Sequence, residues 1–283
     1  MSSPEGLEGV ITSAANPRVR AALALRDRRG RDLARRLLVD GVREVGRALD
    51  AGCRIAEAFV TAEPGDEAGA VMERLAGAGV PLIPVAGPAE ARLAYGDRHS
   101  EVVAVVEMPA TDLASLAASL AAVQAPLLIV VEDAEKPGNL GAIARSADGA
   151  GAAGLIAATD RGPAGDPWNP NAVRASVGTV LSLPLAVAPT QDVLAWLRER
   201  GSGIVAARVQ ATADYHAVDL RGPVAIVVGS EARGLGPGWQ ADDVVPVRLP
   251  MRGQADSLNV AAAAAVLLYE ARRQRDAIDG AGQ

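Results

Sequence analysis

One group of side chains that could bind a ligand consists of an asparagine and an arginine six residues apart. Asn139 and Arg145 lie in the segment 132–145, E-D-A-E-K-P-G-N-L-G-A-I-A-R, which follows a run of apolar residues. Asn139 stands where a helix N-cap is expected, and Arg145 follows along the same predicted helix. A capped helix with a surface arginine explains the same pattern. The segment also lacks the G-x-G-x-x-G spacing of a nicotinamide cofactor site.

A glutamate in a glycine-rich loop is the second group of this kind. The segment 224–236, V-A-I-V-V-G-S-E-A-R-G-L-G, runs from an apolar strand to Gly229 and Glu231. Glycine-rich loops that follow a strand often cradle a ligand. Glu231 would repel a phosphate, so it either orients an asparagine or arginine or faces water.

A serine and an asparagine near the C-terminus are the third. The segment 248–260, R-L-P-M-R-G-Q-A-D-S-L-N-V, precedes five consecutive alanines at 261–265. Asp256 or Ser257 is the expected N-cap of a final helix, and Asn259 is an unfavourable residue inside a helix. The alanines allow another backbone to approach closely, so a capped helix at a tight interface also explains this segment.

The elements around these segments predict an α/β domain. From residue 126 onward, short apolar runs predict buried strands that alternate with helices. The predicted strands are 127–131, 154–158, 181–187, 204–209, 224–228 and 244–249, and the predicted helices are 138–149, 190–200 and 257–273. This pattern predicts an open, mainly parallel sheet whose ligand site lies beyond the carboxyl ends of the strands.

The first half of the chain predicts a smaller α/β domain. Residues 16–50 have apolar side chains at three- and four-residue steps and are expected to be helical. Predicted strands at 55–61, 81–85 and 102–107 and a helix at 66–79 follow them. The expected division is a leader at 1–15, the small domain at 16–109, a helical linker at 110–125 and the larger domain at 126–276.

Composition argues against several classes of protein. Cys53 is the single cysteine, and His99 and His216 are the two histidines, so neither a disulfide nor a metal site is expected. No segment has the pattern of a signal peptide or a membrane span, and the protein is expected to be cytoplasmic. The net charge is −6, yet the segment 16–36 holds eight arginines and two aspartates. Such a basic segment is either an RNA-binding surface or a solvated helix.

In their order and spacing, the three segments resemble the three motifs of the SpoU/TrmH family, and they are called motifs one, two and three below. The resemblance covers about residues 127–273 and rests on N-L-G-A-I-A-R, V-V-G-S-E-A-R-G-L and L-P-M-R-G-x-x-D-S-L-N-V-A. Members of this family are S-adenosylmethionine-dependent RNA 2′-O-ribose methyltransferases. The resemblance implies an α/β fold whose C-terminal part forms a deep trefoil knot, a homodimer, and S-adenosylmethionine as the cofactor.

The resemblance also assigns site residues by their position in the motifs. The catalytic positions of the family match Asn139, Arg145, Glu231, Ser257 and Asn259. The cofactor-binding positions match Ala207, Gly229, Leu249, Met251 and Leu258. Arg145 is implied to act at the ribose hydroxyl, either as its base or as a clamp that binds the neighbouring phosphate and stabilises the oxyanion.

The N-terminal part resembles an extra domain of the family, which is similar to the ribosomal protein L30 fold and binds RNA. The resemblance rests on N-P-R-V-R at 16–20 and L-V-D-G-V-R-E-V at 38–45. Members built this way often modify 23S rRNA, and some protect their host against ribosome-targeting antibiotics. The expected substrate is therefore 23S rRNA, and tRNA is the alternative. The expected RNA contacts are Arg18, Arg20, Arg26, Arg28, Arg29 and Arg174.

Two further classes of protein compete with this interpretation. A non-catalytic RNA-binding or ribosome-assembly protein would be indicated by the loss of Arg145 or Asn259, and both are present. A nicotinamide-dependent dehydrogenase would need the glycine fingerprint and an acidic residue about 20 positions after it.

Overall fold

The computed structural model describes residues 9–96, 99–160 and 165–279. Part of the predicted leader, residues 1–8, lies outside the described residues. The chain divides into two compact units. The first unit comprises Met1–Pro109 and Trp168–Ser182, and the second comprises Ala110–Pro167 and Leu183–Gln283.

Strands and α-helices are numbered here in chain order over the described ranges. The strands are β1 Arg36–Asp40, β2 Ile55–Thr61, β3 Leu82–Val85, β4 Val102–Glu107, β5 Leu127–Glu132, β6 Gly154–Thr159, β7 Leu185–Pro189, β8 Gly203–Ala207, β9 Ala213–Asp214, β10 Val224–Val228 and β11 Val244–Arg248. The helices are α1 Pro17–Ala24, α2 Arg28–Ala34, α3 Val42–Asp50, α4 Asp66–Gly77, α5 Pro88–Leu93, α6 Leu113–Ser119, α7 Pro137–Gly149, α8 Pro170–Ala175, α9 Thr190–Glu199 and α10 Val260–Asp279. None of the helices in these ranges is both long and apolar enough to cross a membrane.

The first unit is built on a mixed four-stranded sheet in the order β1-β4-β2-β3. β4 runs antiparallel to both β1 and β2, while β3 runs parallel to β2. The prediction of helix throughout 16–50 is wrong at β1. Leu37, Leu38 and Val39 are all buried there, and their backbone pairs with β4. Because α3 and α8 both pack on β1, apolar side chains are needed on successive positions of this edge strand, and the sequence pattern loses its alternation.

The arginine-rich segment folds as the two short helices α1 and α2. Asn16 begins α1 as its N-cap, because its side chain accepts a hydrogen bond from the Arg18 backbone N–H at 2.9 Å. Arg31 is 1% exposed, and its Nη1 donates to the carbonyl oxygens of Leu25 at 3.0 Å and Arg26 at 2.7 Å. At least one of the eight arginines therefore satisfies backbone carbonyls where α1 ends instead of facing solvent.

The second unit contains an all-parallel seven-stranded sheet in the order β7-β6-β5-β10-β8-β11-β9. Every residue of β5 and β10 is buried. The register pairs Val131 with Val228, so β5 ends only one residue beyond the end of β10. The loops that follow them, residues 133–136 and 229–236, therefore leave the sheet side by side at its carboxyl edge.

Two predictions in the second half of the chain need correction. The expected strand 181–187 is a 3-10 turn at Thr179–Leu181 followed by β7, which begins only at Leu185. Leu181 and Leu183 are buried outside any strand, so their apolar character indicated burial and not extended backbone. The final helix begins at Val260 and not at residue 257.

Candidate active site

The carboxylate of Glu231 brings together side chains from all three motifs. Lys136 Nζ donates to Oε2 at 2.8 Å. Asn139 Nδ2 donates to Oε1 at 3.2 Å, and Asn259 Nδ2 donates to the same oxygen. The Lys136 ammonium is the main cause that holds the pKa of Glu231 below its ordinary value, so the carboxylate is charged at neutral pH. These four residues are called the Glu231 cluster below.

The two asparagines of the cluster are fixed by the helices on which they lie. Asn139 sits in the first turn of α7, which begins at Pro137, and therefore not at the expected N-cap position. Asn259 precedes α10, and its Oδ1 accepts a hydrogen bond from the Ala261 backbone N–H at 2.9 Å. Asn259 is thus the N-cap of α10, a role that the sequence had suggested for Asp256 or Ser257. The amide oxygen of Asn259 caps α10, while its amide nitrogen donates to Glu231.

Arg145 and Ser257 stand apart from the Glu231 cluster. Arg145 lies on an exposed part of α7, and Ser257 lies in the exposed segment before α10. Neither side chain makes a hydrogen bond or an ion pair with another described residue. The structure therefore brings together three of the five predicted catalytic residues and leaves Arg145 and Ser257 available to a substrate.

The loop after β10 is folded so tightly that its first residue has to be glycine. A Cβ built on Gly229 would lie 2.3 Å from the Gly234 carbonyl carbon and 2.6 Å from the Leu235 nitrogen. The Gly234 N–H donates to the Ser230 carbonyl at 2.9 Å, and Gly234 itself has a φ of +65°. Since both near neighbours of that Cβ are backbone atoms, a side chain at Gly229 would force the loop to open.

A buried carboxylate at the end of β5 accepts a hydrogen bond from the loop after β10 and holds it in place. Glu132 is 1% exposed. Its Oε2 accepts from the Gly236 N–H at 2.6 Å, and its Oε1 accepts from Trp239 Nε1 at 2.8 Å and from Thr190 Oγ1 at 2.9 Å. Glu132 thus links β5 to both ends of the 3-10 turn that follows motif two and to the start of α9. Such a buried carboxylate is stable because each of its oxygens is hydrogen-bonded.

A cavity of about 340 Å³ lies beside the Glu231 cluster at the carboxyl edge of the sheet. This volume falls in the range of about 300–1,000 Å³ that is typical of small-molecule sites. All five predicted cofactor-binding positions are in its wall, namely Ala207, Gly229, Leu249, Met251 and Leu258. Glu231 and Ser257 also line it, whereas Asn139 and Arg145 do not. No group of three or more His, Cys, Asp or Glu side chains that could hold a metal ion occurs among the described residues.

Sequence reasoning missed three residues that the geometry places at this site. Lys136 and Glu132 lie inside motif one, and Arg208 lines the cavity beyond the end of β8. Lys136 is the only lysine of the chain, a signal that the composition offered. Glu132 could have been found as a carboxylate that ends a fully apolar strand. Arg208 donates to the Gly236 carbonyl at 3.2 Å, a contact that no local pattern indicates.

Four of the six predicted RNA contacts interact with the protein itself in the first unit. Arg26 Nη2 donates to the carbonyl oxygens of residues 92, 93 and 94, where α5 ends, and burial lowers the pKa of its guanidinium. Arg174 Nη1 donates to the Tyr95 carbonyl at 2.7 Å. Arg26 and Arg174 both stack on the Tyr95 ring, at 5.5 and 5.4 Å from its centroid. These contacts stabilise the unit, because Arg26 satisfies carbonyls at the end of α5, Arg174 satisfies the carbonyl of Tyr95, and both guanidinium groups lie over the Tyr95 ring.

The remaining arginines of the predicted set are more open. Arg18 pairs with Glu57 at 2.7 Å, and Arg28 lies 3.8 Å from Asp32. Arg20 and Arg29 are exposed, and neither makes a hydrogen bond or an ion pair with any residue that the structure describes. Arg20 and Arg29 are therefore the members of the set whose charge is most available to a phosphate.

Family models match both parts of the chain. The model of the SpoU rRNA methylase family matches residues 126–269, about half of the chain. The chain belongs to the SpoU rRNA methylase family. The model of the MRM3-like substrate binding domain matches residues 16–104.

Relatives of this SpoU family member include two curated enzymes and a solved structure. A 23S rRNA (uridine(2479)-2′-O)-methyltransferase of Streptomyces viridochromogenes is 40% identical, and the match covers 62% of this chain and 61% of that relative. A 23S rRNA (guanosine-2′-O-)-methyltransferase of Ralstonia nicotianae is 34% identical over 71% of this chain and 80% of the relative. The crystal structure of the SpoU methyltransferase AviRb from Streptomyces viridochromogenes, in complex with the cofactor AdoMet, is 33% identical. It covers 93% of this chain and 100% of its own, with a TM-score of 0.79.

Removal of the buried carboxylate of this SpoU family member should unfold it readily. We expect Glu132→Ala to lower the free energy of unfolding by about 3–5 kcal/mol, because three buried donors lose their acceptor. Urea denaturation followed by circular dichroism measures the change. The control is Glu135→Ala, which removes an exposed carboxylate from the same loop and should change stability by about 0.5 kcal/mol or less. Equal losses in the two variants would contradict the role of Glu132.

Proposed function

We propose that this chain transfers a methyl group from S-adenosylmethionine to a ribose 2′-hydroxyl of RNA. The observation that carries the proposal is the Glu231 cluster, in which residues from three separate motifs meet on one carboxylate beside the cavity. The Streptomyces and Ralstonia relatives are named as 23S rRNA 2′-O-methyltransferases, which supports the same reaction.

The residues of the cavity fit this cofactor. Gly229 and its neighbours expose backbone groups, and Leu249, Met251 and Leu258 provide apolar contact area. The cofactor carries both a positive sulfur and an amino-acid carboxylate. Glu231, the acid at the centre of the Glu231 cluster, is part of the wall and attracts the positive sulfur, while Arg208 and Arg233 of the same wall attract a carboxylate.

The main task of the protein in this reaction is to align the ribose oxygen with the methyl carbon, because the methyl carbon needs no further activation. When bound, S-adenosylmethionine supplies a methyl carbon that its positive sulfur already activates. Arg145 binds the phosphate next to the reacting ribose and stabilises the negative charge that grows on the 2′-oxygen while its bond to the methyl carbon forms and the sulfur–methyl bond breaks. The proton of the 2′-hydroxyl passes to solvent water. We favour this clamp over the role of base, because a guanidinium presents a planar pair of N–H donors that matches the oxygens of a phosphate. Ser257 orients the ribose, and Asn139 and Asn259 hold the motifs in register around Glu231.

We propose 23S rRNA as the substrate, and we keep tRNA as the alternative. The match of residues 16–104 to a substrate binding domain and the rRNA activities of the relatives favour rRNA. Arg20 and Arg29 supply phosphate contacts on the first unit, and the cytoplasm, where ribosomes are assembled, is the expected location. Protection against a ribosome-targeting antibiotic stays a prediction, as do the knotted threading of the C-terminal part and the likeness of the first unit to the ribosomal protein L30 fold.

We propose that the enzyme acts as a homodimer through the exposed side of α10. Ala262, Val266 and Tyr269 follow one another at four- and three-residue steps, so they form an apolar stripe along one face of the helix. Val266 is 38% exposed and Tyr269 is 53% exposed. A second copy of the chain would cover this stripe.

Loss of the proposed clamp should stop the reaction without loss of the cofactor. We expect Arg145→Ala to lower methyl transfer by about a thousandfold, because it removes the charge that stabilises the oxyanion. The affinity for S-adenosylmethionine should change less than about twofold, since Arg145 is outside the cavity wall. A tritium-methyl transfer assay on 23S rRNA beside calorimetry of cofactor binding measures both. Arg200→Ala is the matched control. Activity near wild type in Arg145→Ala would remove Arg145 from the mechanism.

A methyl group at Gly229 should weaken cofactor binding. We expect Gly229→Ala to raise the dissociation constant of S-adenosylmethionine about tenfold or more, because the added Cβ would displace the backbone of the loop that lines the cavity. Gly253→Ala is the control, since a Cβ there meets nothing within 4 Å. Calorimetry of both variants measures the effect. Unchanged affinity in Gly229→Ala would show that this loop does not contact the cofactor.

Charge reversal on the first unit should weaken RNA binding and its dependence on salt. We expect Arg20→Glu with Arg29→Glu to reduce the slope of log affinity against log salt by about 1.5, the value for two lost phosphate contacts. Filter binding of 23S rRNA at several salt concentrations measures the slope. The control reverses Arg43 and Arg200, two arginines outside the segment 16–36, and changes the net charge by the same amount. Identical slopes in the two double variants would place the RNA elsewhere.

A charge in the apolar stripe of α10 should separate the proposed dimer. We expect Val266→Glu to raise the dimer dissociation constant about a hundredfold or more, because the interface would desolvate an unpaired carboxylate. Analytical ultracentrifugation measures it. Val123→Glu, at another exposed valine, should leave the sedimentation unchanged. A dimer that persists in Val266→Glu would mean that α10 is not the interface.

A further inference from the structure

The single lysine of the chain occupies an unusual place. Lys136 is the residue before Pro137 at the start of α7, and its side chain is 69% exposed. Its Nζ nevertheless reaches across to motif two and lies 2.8 Å from Glu231 Oε2. Apart from two histidines, every other basic side chain of the protein is an arginine, and its one lysine lies at the carboxylate of Glu231.

The contacts of Glu231 are divided between its two oxygens. Oε1 accepts from the side-chain amides of Asn139 and Asn259, and Oε2 accepts from Lys136. The Val260 backbone N–H makes a smaller contribution that also lowers the pKa of Glu231. A carboxylate can rotate about its terminal bond, and two amides on one oxygen do not fix that rotation. An ammonium on the opposite oxygen does fix it. We propose that Lys136 is a positioning residue for the methyl transfer proposed above, on which this inference rests: it holds the Glu231 carboxylate in the orientation that keeps Asn139 and Asn259 together.

A second ion pair of reversed polarity joins the same two loops. Arg233 Nη2 of motif two lies 3.6 Å from Glu135 Oε1 of motif one. Each loop therefore contributes one acid and one base, and a shift of either loop by one residue would place like charges opposite each other. The charged groups that face Lys136 are Glu135 on its own loop and Glu231 on the neighbouring loop; α10 contributes the uncharged Asn259.

The electrostatics of the pair agree from both sides. The hydrogen bond to Glu231 raises the pKa of Lys136, and the hydrogen bond from Lys136 lowers the pKa of Glu231. Because the pKa of Lys136 is raised in the folded protein, the pair stabilises the folded state at a pH below the ordinary pKa of lysine. This stabilisation is lost as the pH rises through the pKa of the folded state. Because the pKa of Glu231 is lowered, the pair stabilises the folded state at a pH above the ordinary pKa of glutamate. This stabilisation is lost as the pH falls through the pKa of Glu231 in the folded state. The pair is therefore fully charged across the neutral range.

The first test uses the single lysine in the cofactor-free protein. The rate at which acetic anhydride acetylates Lys136 follows the fraction of free amine, and peptide mass spectrometry reads this one site against the N-terminal amine. We expect Glu231→Gln to increase the rate at neutral pH about three- to tenfold, because the loss of the carboxylate lowers the pKa of the amine. Glu135→Gln should increase it less. An unchanged rate in Glu231→Gln would overturn the proposal whatever the protein does to RNA.

The second test separates the charge of Lys136 from its bulk. Reductive methylation keeps the positive charge and one N–H donor, whereas acetylation removes the charge. We expect acetylated protein to lose about five- to tenfold in kcat, dimethylated protein to stay within about twofold, and the dissociation constant of S-adenosylmethionine to stay within about twofold in both. Lys136→Arg, treated identically, reports the effect of the N-terminal amine, and untreated Lys136→Arg should keep most of the activity.

Two results of the second test have different meanings. Equal kcat values for acetylated and dimethylated protein would overturn the positioning role of Lys136. Failure of the untreated protein to methylate any RNA would contradict the proposed function instead, and the acetylation rates of the cofactor-free protein would still decide whether Lys136 binds Glu231.

Discussion

The parallel pairing of β5 with β10 is the constraint on which the rest of the site depends. Because Val131 and Val228 lie opposite each other, motif one and motif two leave the sheet within one residue of the same level. Glu132, at the end of β5, then accepts a hydrogen bond from the backbone of the loop after β10. In the opposite sense, Glu231 of that loop accepts hydrogen bonds from motif one. Two carboxylates, one buried and one in the cavity wall, thus hold a single loop in place. The buried one supplies stability, and the other supplies the contacts that a reaction can use.

The sequence predicted the strands of this framework well because burial on both faces leaves an unbroken apolar run. The bounds of β10, which is buried throughout, are the predicted ones. Those of β2 and β4 in the first unit are also the predicted ones, although β2 includes Glu57 and is only partly buried. β1 was missed, since three successive buried residues inside a region of helical spacing carry no sign of the β4 partner. The beginning of α10 was placed too early for a related reason. Asp256, Ser257 and Asn259 are all good N-caps, and only the bond from Asn259 to Glu231 selects among them.

Some of the site residues could be predicted from the sequence and others could not. The positions assigned by resemblance to cofactor binding lie in one cavity wall, because they follow strand ends that a parallel sheet places together. Charge was less informative. Arg26 and Arg31 lie in the arginine-rich segment and Arg174 lies on α8, yet each donates to a backbone carbonyl of the first unit. A count of charges records how many arginines there are, whereas their partners depend on where helix ends come to lie. Lys136 was overlooked for the opposite reason, since a single lysine forms no pattern.

In the proposed reaction the acceptor of the methyl group is a ribose hydroxyl, and the products of alkaline hydrolysis reveal the acceptor directly. Alkali cleaves RNA through the free 2′-hydroxyl, so a 2′-O-methylated nucleotide stays joined to its 3′ neighbour. 23S rRNA labelled by this enzyme with tritium-methyl S-adenosylmethionine should release its radioactivity in alkali-resistant dinucleotides. Radioactivity in mononucleotides would mean that a base is methylated and would contradict the account.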